Sequence, residues 1–348
     1  RFKDDGGCQD MEMEFSTSGA SEDDPLYLFF GADQDFNSDP TAKESFSSFE
    51  NFTVSLYPDT GETLMNHTLF KDDFNKNTME KKRVLYVNQE ITPYLPETQI
   101  SRIGRFLPQK TQEAGKEIRT FMPRYGLVNE RRNQLHEVIR LSGMNLIIDD
   151  IDHPLIIKVA SIQQARMQVY FIDNEDYFHR KFLFRDKKEK FFDDNDERTV
   201  FFAKGVIETV KKLGWAPDIV HAHGWFSSLL PLYIRTAYKD NPIFSDLKII
   251  FSLYDDGFTE SFKNGFTEKM VTKGLTKEEL KHYSDGTFVS LMKGAIDRSD
   301  ALIQGSENLN PEILEYAKAS GKPMLDYIDD ENYYVAYNEF YDKIIGED

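Results

Sequence analysis

Cysteine is almost missing from this chain of 348 residues, with Cys8 the single example. One thiol cannot form an intramolecular disulfide, which points to a reducing compartment, so a cytoplasmic location is expected. No apolar run approaches the roughly eighteen residues of a membrane span, so no membrane partner is expected. No signal-peptide pattern stands at the start, although a chain beginning with Arg1 can lack its true first residues. Positive charge is scarce: 42 Lys and Arg against 60 Asp and Glu leave a net charge of -18. That balance argues against nucleic acid as a partner. The nucleophile pattern G-x-S-x-G does not occur either, which removes support for a serine hydrolase.

The acidity is uneven. Residues 1–78 hold 17 Asp and Glu against 5 Lys and Arg. The stretch is rich in Ser, Asp, Asn and Phe and shows no sustained period. Leu26-Tyr-Leu-Phe-Phe30 is its best apolar run, and Thr53 to Tyr57 is its candidate strand. It reads as an acidic, poorly ordered extension rather than a small domain. The rest of the chain, residues 79–348, is long enough to bury a core of its own.

That second part begins with a strand–helix–strand unit. Arg83-Val-Leu-Tyr-Val-Asn88 is an apolar run of the kind found in a strand buried on both faces. Ile100, Ile103, Phe106 and Leu107 recur at helical spacing, Pro108 is expected to interrupt that helix, and Gly115 suits the turn. Ile118 to Met122 returns as a strand. In such a unit the ligand side is the loop after the first strand, here 88–98. That loop contains no glycine and no cation, so it is a poor phosphate cradle, and no nucleotide cofactor is expected.

Beyond Gly126, Glu137–Leu141, Asn145–Ile148, Leu155–Val159 and Met167–Ile172 read as short strands with turns between them. They suggest antiparallel hairpins inserted in a parallel fold. Residues 181–198 are charge-dense and read as a solvated loop. Helical spacing resumes from Thr199 and closes at Gly214. Strands over Asp218–His223, Lys248–Tyr254 and Ala301–Gln304 then alternate with helices over Trp225–Tyr238, Phe288–Ile296 and Pro311–Ala319. The expected fold class is therefore α/β: one Rossmann-like, doubly wound, mostly parallel sheet with a hairpin insertion.

Two constellations bear on chemistry. His221 and His223 stand two apart on a strand and share a face at its carboxyl end, where open α/β sheets bind ligands. A metal site would need a third ligand at motif spacing, which is missing, so one packed and one cleft-lining histidine is the reading. Tyr254-Asp255-Asp256-Gly257 follows a later strand; the paired acids suit either acid–base work or a simple turn, and the turn is the commoner use.

Together these landmarks resemble the amino-terminal domain of ADP-glucose-dependent glycogen and starch synthases. The resemblance covers 79–348. It rests on Val84-Leu-Tyr-Val with Glu90 and Pro93, on Met122-Pro-Arg-Tyr-Gly126, on Trp215-Ala-Pro-Asp-Ile-Val-His-Ala-His-Gly-Trp225, and on Lys293-Gly-Ala-Ile before a strand leading to Ser306. It implies a glycosyltransferase of two Rossmann-like domains with the active site between them, moving glucose from ADP-glucose to an α-1,4-glucan with retention of configuration.

Against that pattern the chain departs at three places. The family's Lys-Thr-Gly-Gly-Leu, which binds donor phosphate and acceptor, falls on Pro96-Glu-Thr-Gln-Ile100. Its Asp-Trp after the histidine pair is Gly224-Trp225, and its later His-Asn falls on Tyr254-Asp255. The chain also ends at Asp348, where the family's second domain would begin. The expectation is a catalytically degenerate half-enzyme that binds a glucan, a sugar or a protein. The alternative is an active glucosyltransferase completed by another chain. The expected ligand cleft is Glu90, Tyr94, Arg124, Tyr125, His221, His223, Trp225 and Tyr254, with no catalytic residue, metal or cofactor. Candidate partners are an α-glucan or sugar nucleotide, and a protein or second copy at the face the missing domain would cover.

Overall fold

The computed structural model describes residues 81–263 and 265–346, together with the backbone of two short strands, β1 (Val54–Ser55) and β2 (Asn66–His67). The chain divides into two units, Arg1–Asn77 and Thr78–Asp348. In the first, β1 pairs antiparallel with β2; the expected disorder of 1–78 otherwise lies outside the described residues.

The second unit is built on β3 (Arg83–Asn88), α1 (Gln99–Glu113) and β4 (Glu117–Pro123). There follow β5 (His136–Glu137), β6 (Met144–Ile148), β7 (Ile151–Ile162) and β8 (Met167–Asp173). Next come α2 (Glu175–Phe178), α3 (Asn195–Leu213), β9 (Ile219–His223), α4 (Leu230–Arg235) and β10 (Lys248–Leu253). The chain ends in α5 (Phe266–Met270), α6 (Phe288–Arg298), β11 (Ala301–Gln304), α7 (Pro311–Ala319), β12 (Met324–Leu325) and α8 (Tyr333–Ile345).

These strands form one sheet in the order β12-β11-β10-β9-β3-β4-β8-β7-β5, with β6 also on β7. The seven from β12 to β8 are parallel; β7 is antiparallel to β8, and β5 and β6 are each antiparallel to β7. The α/β class and the inserted hairpins are as expected. Register places Tyr86, Thr120 and His221 on one face and Val87, Phe121 and Ala222 on the other. The first face meets α1 and α8, through Thr111 and Tyr341. The second lies toward α3, where Gly205 is close against the Ile172 side chain.

Three local expectations are corrected. Pro108 does not interrupt α1, which runs on to Glu113. Ile100, Ile103 and Leu107 bury that helix's inner face on the sheet, and packing of this kind offsets the lost hydrogen bond. Residues 181–198 are not a solvated loop throughout: α3 starts at Asn195, and Asn195, Asp196 and Arg198 are buried. The guanidinium of Arg198 donates to the carbonyls of Tyr177 and Leu183, which fixes the chain entering the helix. Finally, the helix expected over Trp225–Tyr238 shrinks to a 3-10 turn at Trp225–Ser227 and the short α4.

Candidate crevice at the switch point

The winding of the sheet reverses between β3 and β9. In an open parallel sheet the crevice outside the carboxyl ends of such a pair is the expected ligand position. Four chain segments arrive there: 88–90 after β3, 223–226 after β9, 254–257 after β10 and 304–306 after β11.

They are joined to one another by their own polar groups. The Gln89 carboxamide oxygen accepts from the Phe226 backbone N–H (3.2 Å), and its Nε2 donates to Glu90 at 3.4 Å. The Trp225 N–H donates to Asp256 Oδ2 at 3.0 Å. Gly224, at φ +77, makes this approach feasible: a Cβ there would lie 2.3 Å from Gln89 Oε1 and 2.9 Å from Asp256 Oδ2. Across the mouth, Gln99 Nε2 donates to the Gly305 carbonyl (2.9 Å), and Ser306 Oγ donates to Gln99 Oε1 (2.8 Å).

The amino end of α1 faces this crevice. Thr98 is its N-cap, in a reciprocal capping box with Ser101. The Thr98 hydroxyl also donates to Glu90 Oε2 at 2.8 Å, so a carboxylate of the chain itself stands at the helix terminus. Glu90 is buried, and burial raises its pKa against the lowering by Thr98 and Gln89. Asp256 is pushed up from 3.8 to about 7, chiefly by burial of its carboxyl group, with the nearby Glu90 charge adding to the rise and the Trp225 N–H opposing it. Neither acid forms an ion pair with a lysine or arginine among the described residues.

His221 and His223 are both fully buried beneath this floor. His221 shares hydrogen bonds with Tyr341 OH and Ser252 Oγ, each at 2.7 Å, and Tyr341 also accepts from Tyr86. Burial holds His221 neutral, well below its ordinary pKa, with the neighbouring His223 adding to the shift. His223 pairs with Tyr254 OH (2.8 Å), and burial takes its pKa down to about 3. Among the described residues no three His, Cys, Asp or Glu side chains gather in a way that could hold a metal ion.

Of the eight residues expected to line a cleft, Glu90 stands at the switch point, His223 and Tyr254 are bonded to each other but buried there, and His221 is buried beneath them. Arg124 does not reach the switch point. Its guanidinium donates to Glu130 and lies 3.7 Å from Asp173, and Lys158 bonds both of those acids. Tyr94 turns inward and packs edge-on to Phe171 at 4.9 Å. Tyr125 is buried among Phe178, Phe184 and Phe226. Trp225 is buried against Phe184 and Phe258, and only its backbone N–H serves the crevice. Gln89 and Thr98 fall within the expected ligand-side loop 88–98, whereas sequence reading missed Gln99 and Ser306, which meet across more than 200 residues of chain. It also missed α8, although Tyr333, Tyr337 and Tyr341 recur at helical spacing.

Comparison with known proteins agrees with this architecture. Residues 83–326 match the family described as starch synthase catalytic domain. The glycogen synthase of Chlorobium limicola is 34% identical over 235 residues, covering 67% of this chain and 47% of that protein. The glycogen synthase of Chlorobium phaeobacteroides is 38% identical over 201 residues, covering 57% of this chain and 40% of that one. The chain thus spans about half the length of these curated relatives. Among solved structures, the catalytic domain of starch synthase IV from Arabidopsis thaliana, bound to ADP and acarbose, superposes with a TM-score of 0.58. It is 16% identical and covers 71% of this chain and 51% of that one, a likeness of fold. With the family matched from the first strand of the parallel sheet to Asp326, the chain belongs to the starch synthase catalytic domain family.

Proposed function

We propose that this chain is a non-catalytic member of that family, a cytoplasmic module that binds neutral α-glucan rather than a sugar nucleotide. One observation carries the reading: the Glu90 carboxylate sits at the amino end of α1, held by the Thr98 hydroxyl. A helix amino terminus favours an anion, and here the protein supplies its own. A diphosphate brought to the same place would meet Glu90 and Asp256 with no lysine or arginine paired to either among the described residues. In a partly desolvated crevice such repulsion opposes binding and any transition state alike. Sugar hydroxyls carry no charge and donate readily to carboxylates, and Asp255 stands exposed beside Asp256.

The test is calorimetric titration of the full chain with ADP, ADP-glucose and maltoheptaose. Heat from maltoheptaose alone is expected. Micromolar binding of ADP-glucose would overturn the non-catalytic reading. Silence toward maltoheptaose would overturn the glucan assignment.

A further inference from the structure

The antiparallel insertion between β4 and β8 has a surface unlike the rest of the described chain. Arg131, Arg132, Arg140 and Arg166 are the arginines whose guanidinium groups have no hydrogen bond, ion pair or ring contact among the described residues, and all four lie in it. Elsewhere arginines are engaged, as Arg124 is with Glu130, Arg185 with Glu260 and Arg235 with Asp300. The three most exposed large apolar side chains also lie here: Ile139 at 76%, Ile147 at 62% and Ile151 at 59%.

These features are ordered along one edge. β5 and β6 pair side by side with β7 and form the border of the sheet. At one end, Arg131 and Arg132 lead into β5, where His136 is opposite Val159. At the other, the turn between β6 and β7 carries Asp149 and Asp150, followed by Asp152; all three are exposed and unpaired among the described residues. About eight strand residues, roughly 26 Å at about 3.3 Å each, separate the two ends along β7. Ile139 and Ile147 lie on the segments between them.

The edge is basic at one end and acidic at the other, with exposed Ile139 and Ile147 between them beside the exposed Glu137 and Arg140, and such a charge order is complementary to itself when turned through a twofold axis. We propose that this insertion is the interface of a symmetric homodimer, with the Arg131–Arg132 end of each copy on the acidic turn of the other. The isoleucines are then covered by their symmetry mates. The occupant is a second copy because both halves of the charge pattern are present on one chain. An acidic or a basic foreign partner would match only one end. The inference does not depend on what the crevice binds.

Sedimentation velocity of the full chain tests it. A reversible dimer is expected at low salt, shifting toward monomer as salt rises, because exposed charge pairs are screened. The pair Arg131→Glu and Arg132→Glu should give a monomer at concentrations where the natural chain is dimeric. So should the combination Asp149→Asn, Asp150→Gly and Asp152→Lys, which keeps a turn-compatible Asn-Gly pair. Mixing the two variants should restore a dimer, since each then offers the charge the other lacks. A natural chain that stays monomeric at high concentration in low salt overturns the proposal. So does a dimer that neither variant weakens, or variants that stay monomeric when mixed.

Discussion

Replacing Asp256 by asparagine tests whether the crevice stores ionisable acids at a cost to stability. In the folded chain the carboxyl group is raised from 3.8 to about 7, mainly by burial. Folding therefore favours its protonated form. The stability tied to that form is fully present below pH 3.8, and it is lost as pH rises through about 7. At 1.36 kcal/mol per pKa unit, the folded state gives up about 4 kcal/mol across that window as an upper bound. The residue as a whole is half-buried although its carboxyl group points inward, so about 2 kcal/mol is the expected net effect. Asparagine keeps an oxygen to accept the Trp225 N–H and cannot ionise. Asp256→Asn should thus be the more stable protein at pH 8 and equal to the natural chain near pH 4.

Urea unfolding at the two pH values measures this directly. Trp225 is one of only two tryptophans and its own N–H contacts Asp256, so its fluorescence reports on the crevice. A gain of about 2 kcal/mol corresponds to some 4–8 °C in the melting temperature of a domain this size. Equal stability of the two proteins at pH 8, or an advantage for asparagine that persists unchanged at pH 4, would refute the argument. The first outcome would mean that water reaches the carboxylate; the second, that the gain has nothing to do with ionisation.

Gly224→Ala should destabilise by about 1–3 kcal/mol, because the new methyl meets Gln89 Oε1 at 2.3 Å with the backbone at φ +77; a loss under half a kcal/mol in urea titration would count against it. Tyr341→Phe removes the hydroxyl shared by His221 and Tyr86 and should cost about 1–3 kcal/mol. Unchanged unfolding would show that the buried ladder is not needed for stability. Lys204 is buried, donates to the Ile147 carbonyl, and is lowered from 10.5 to about 8 by burial. Its charged form opposes folding, so the penalty is full below pH 8 and gone above 10.5. Lys204→Met should stabilise by about 1–3 kcal/mol at pH 7, and the difference from the natural chain should shrink as pH rises toward 10.5; a constant difference would refute the burial account.

The parallel core was legible because its strands are short, mostly apolar runs separated by turn residues. Ala301–Gln304 and Pro311–Ala319 come out with the expected boundaries. The helix over Trp225–Tyr238 failed for a local reason. Leu229 and Leu230 suit a helix, but Trp225 is fixed by Asp256 and packs among Phe184 and Phe258, which leaves only a 3-10 turn before Pro231. The crevice was half legible. Strand ends located Glu90, His223 and Tyr254, since the carboxyl end of a parallel strand is a topological position. Arg124 was misplaced because nothing in Met122-Pro-Arg-Tyr-Gly126 reveals that Glu130 and Asp173 compete for the guanidinium. Side-chain direction at a loop residue is set by partners distant in sequence, and one sequence does not display those pairings.

The departures around α1 act as a set. Thr98 performs two tasks: it caps the helix by accepting from Ser101 and it donates to Glu90. A glycine at this position would lose both bonds, leaving the helix terminus without its side-chain cap and Glu90 without its hydroxyl donor. A cap of this kind contributes about 1 kcal/mol, and a buried carboxylate stripped of a donor costs more. Gln99, next in the chain, is likewise committed to Gly305 and Ser306. Glycine at either 98 or 99 would therefore weaken the fold. Thr98 and Gln99 are thus each fitted to their present neighbours.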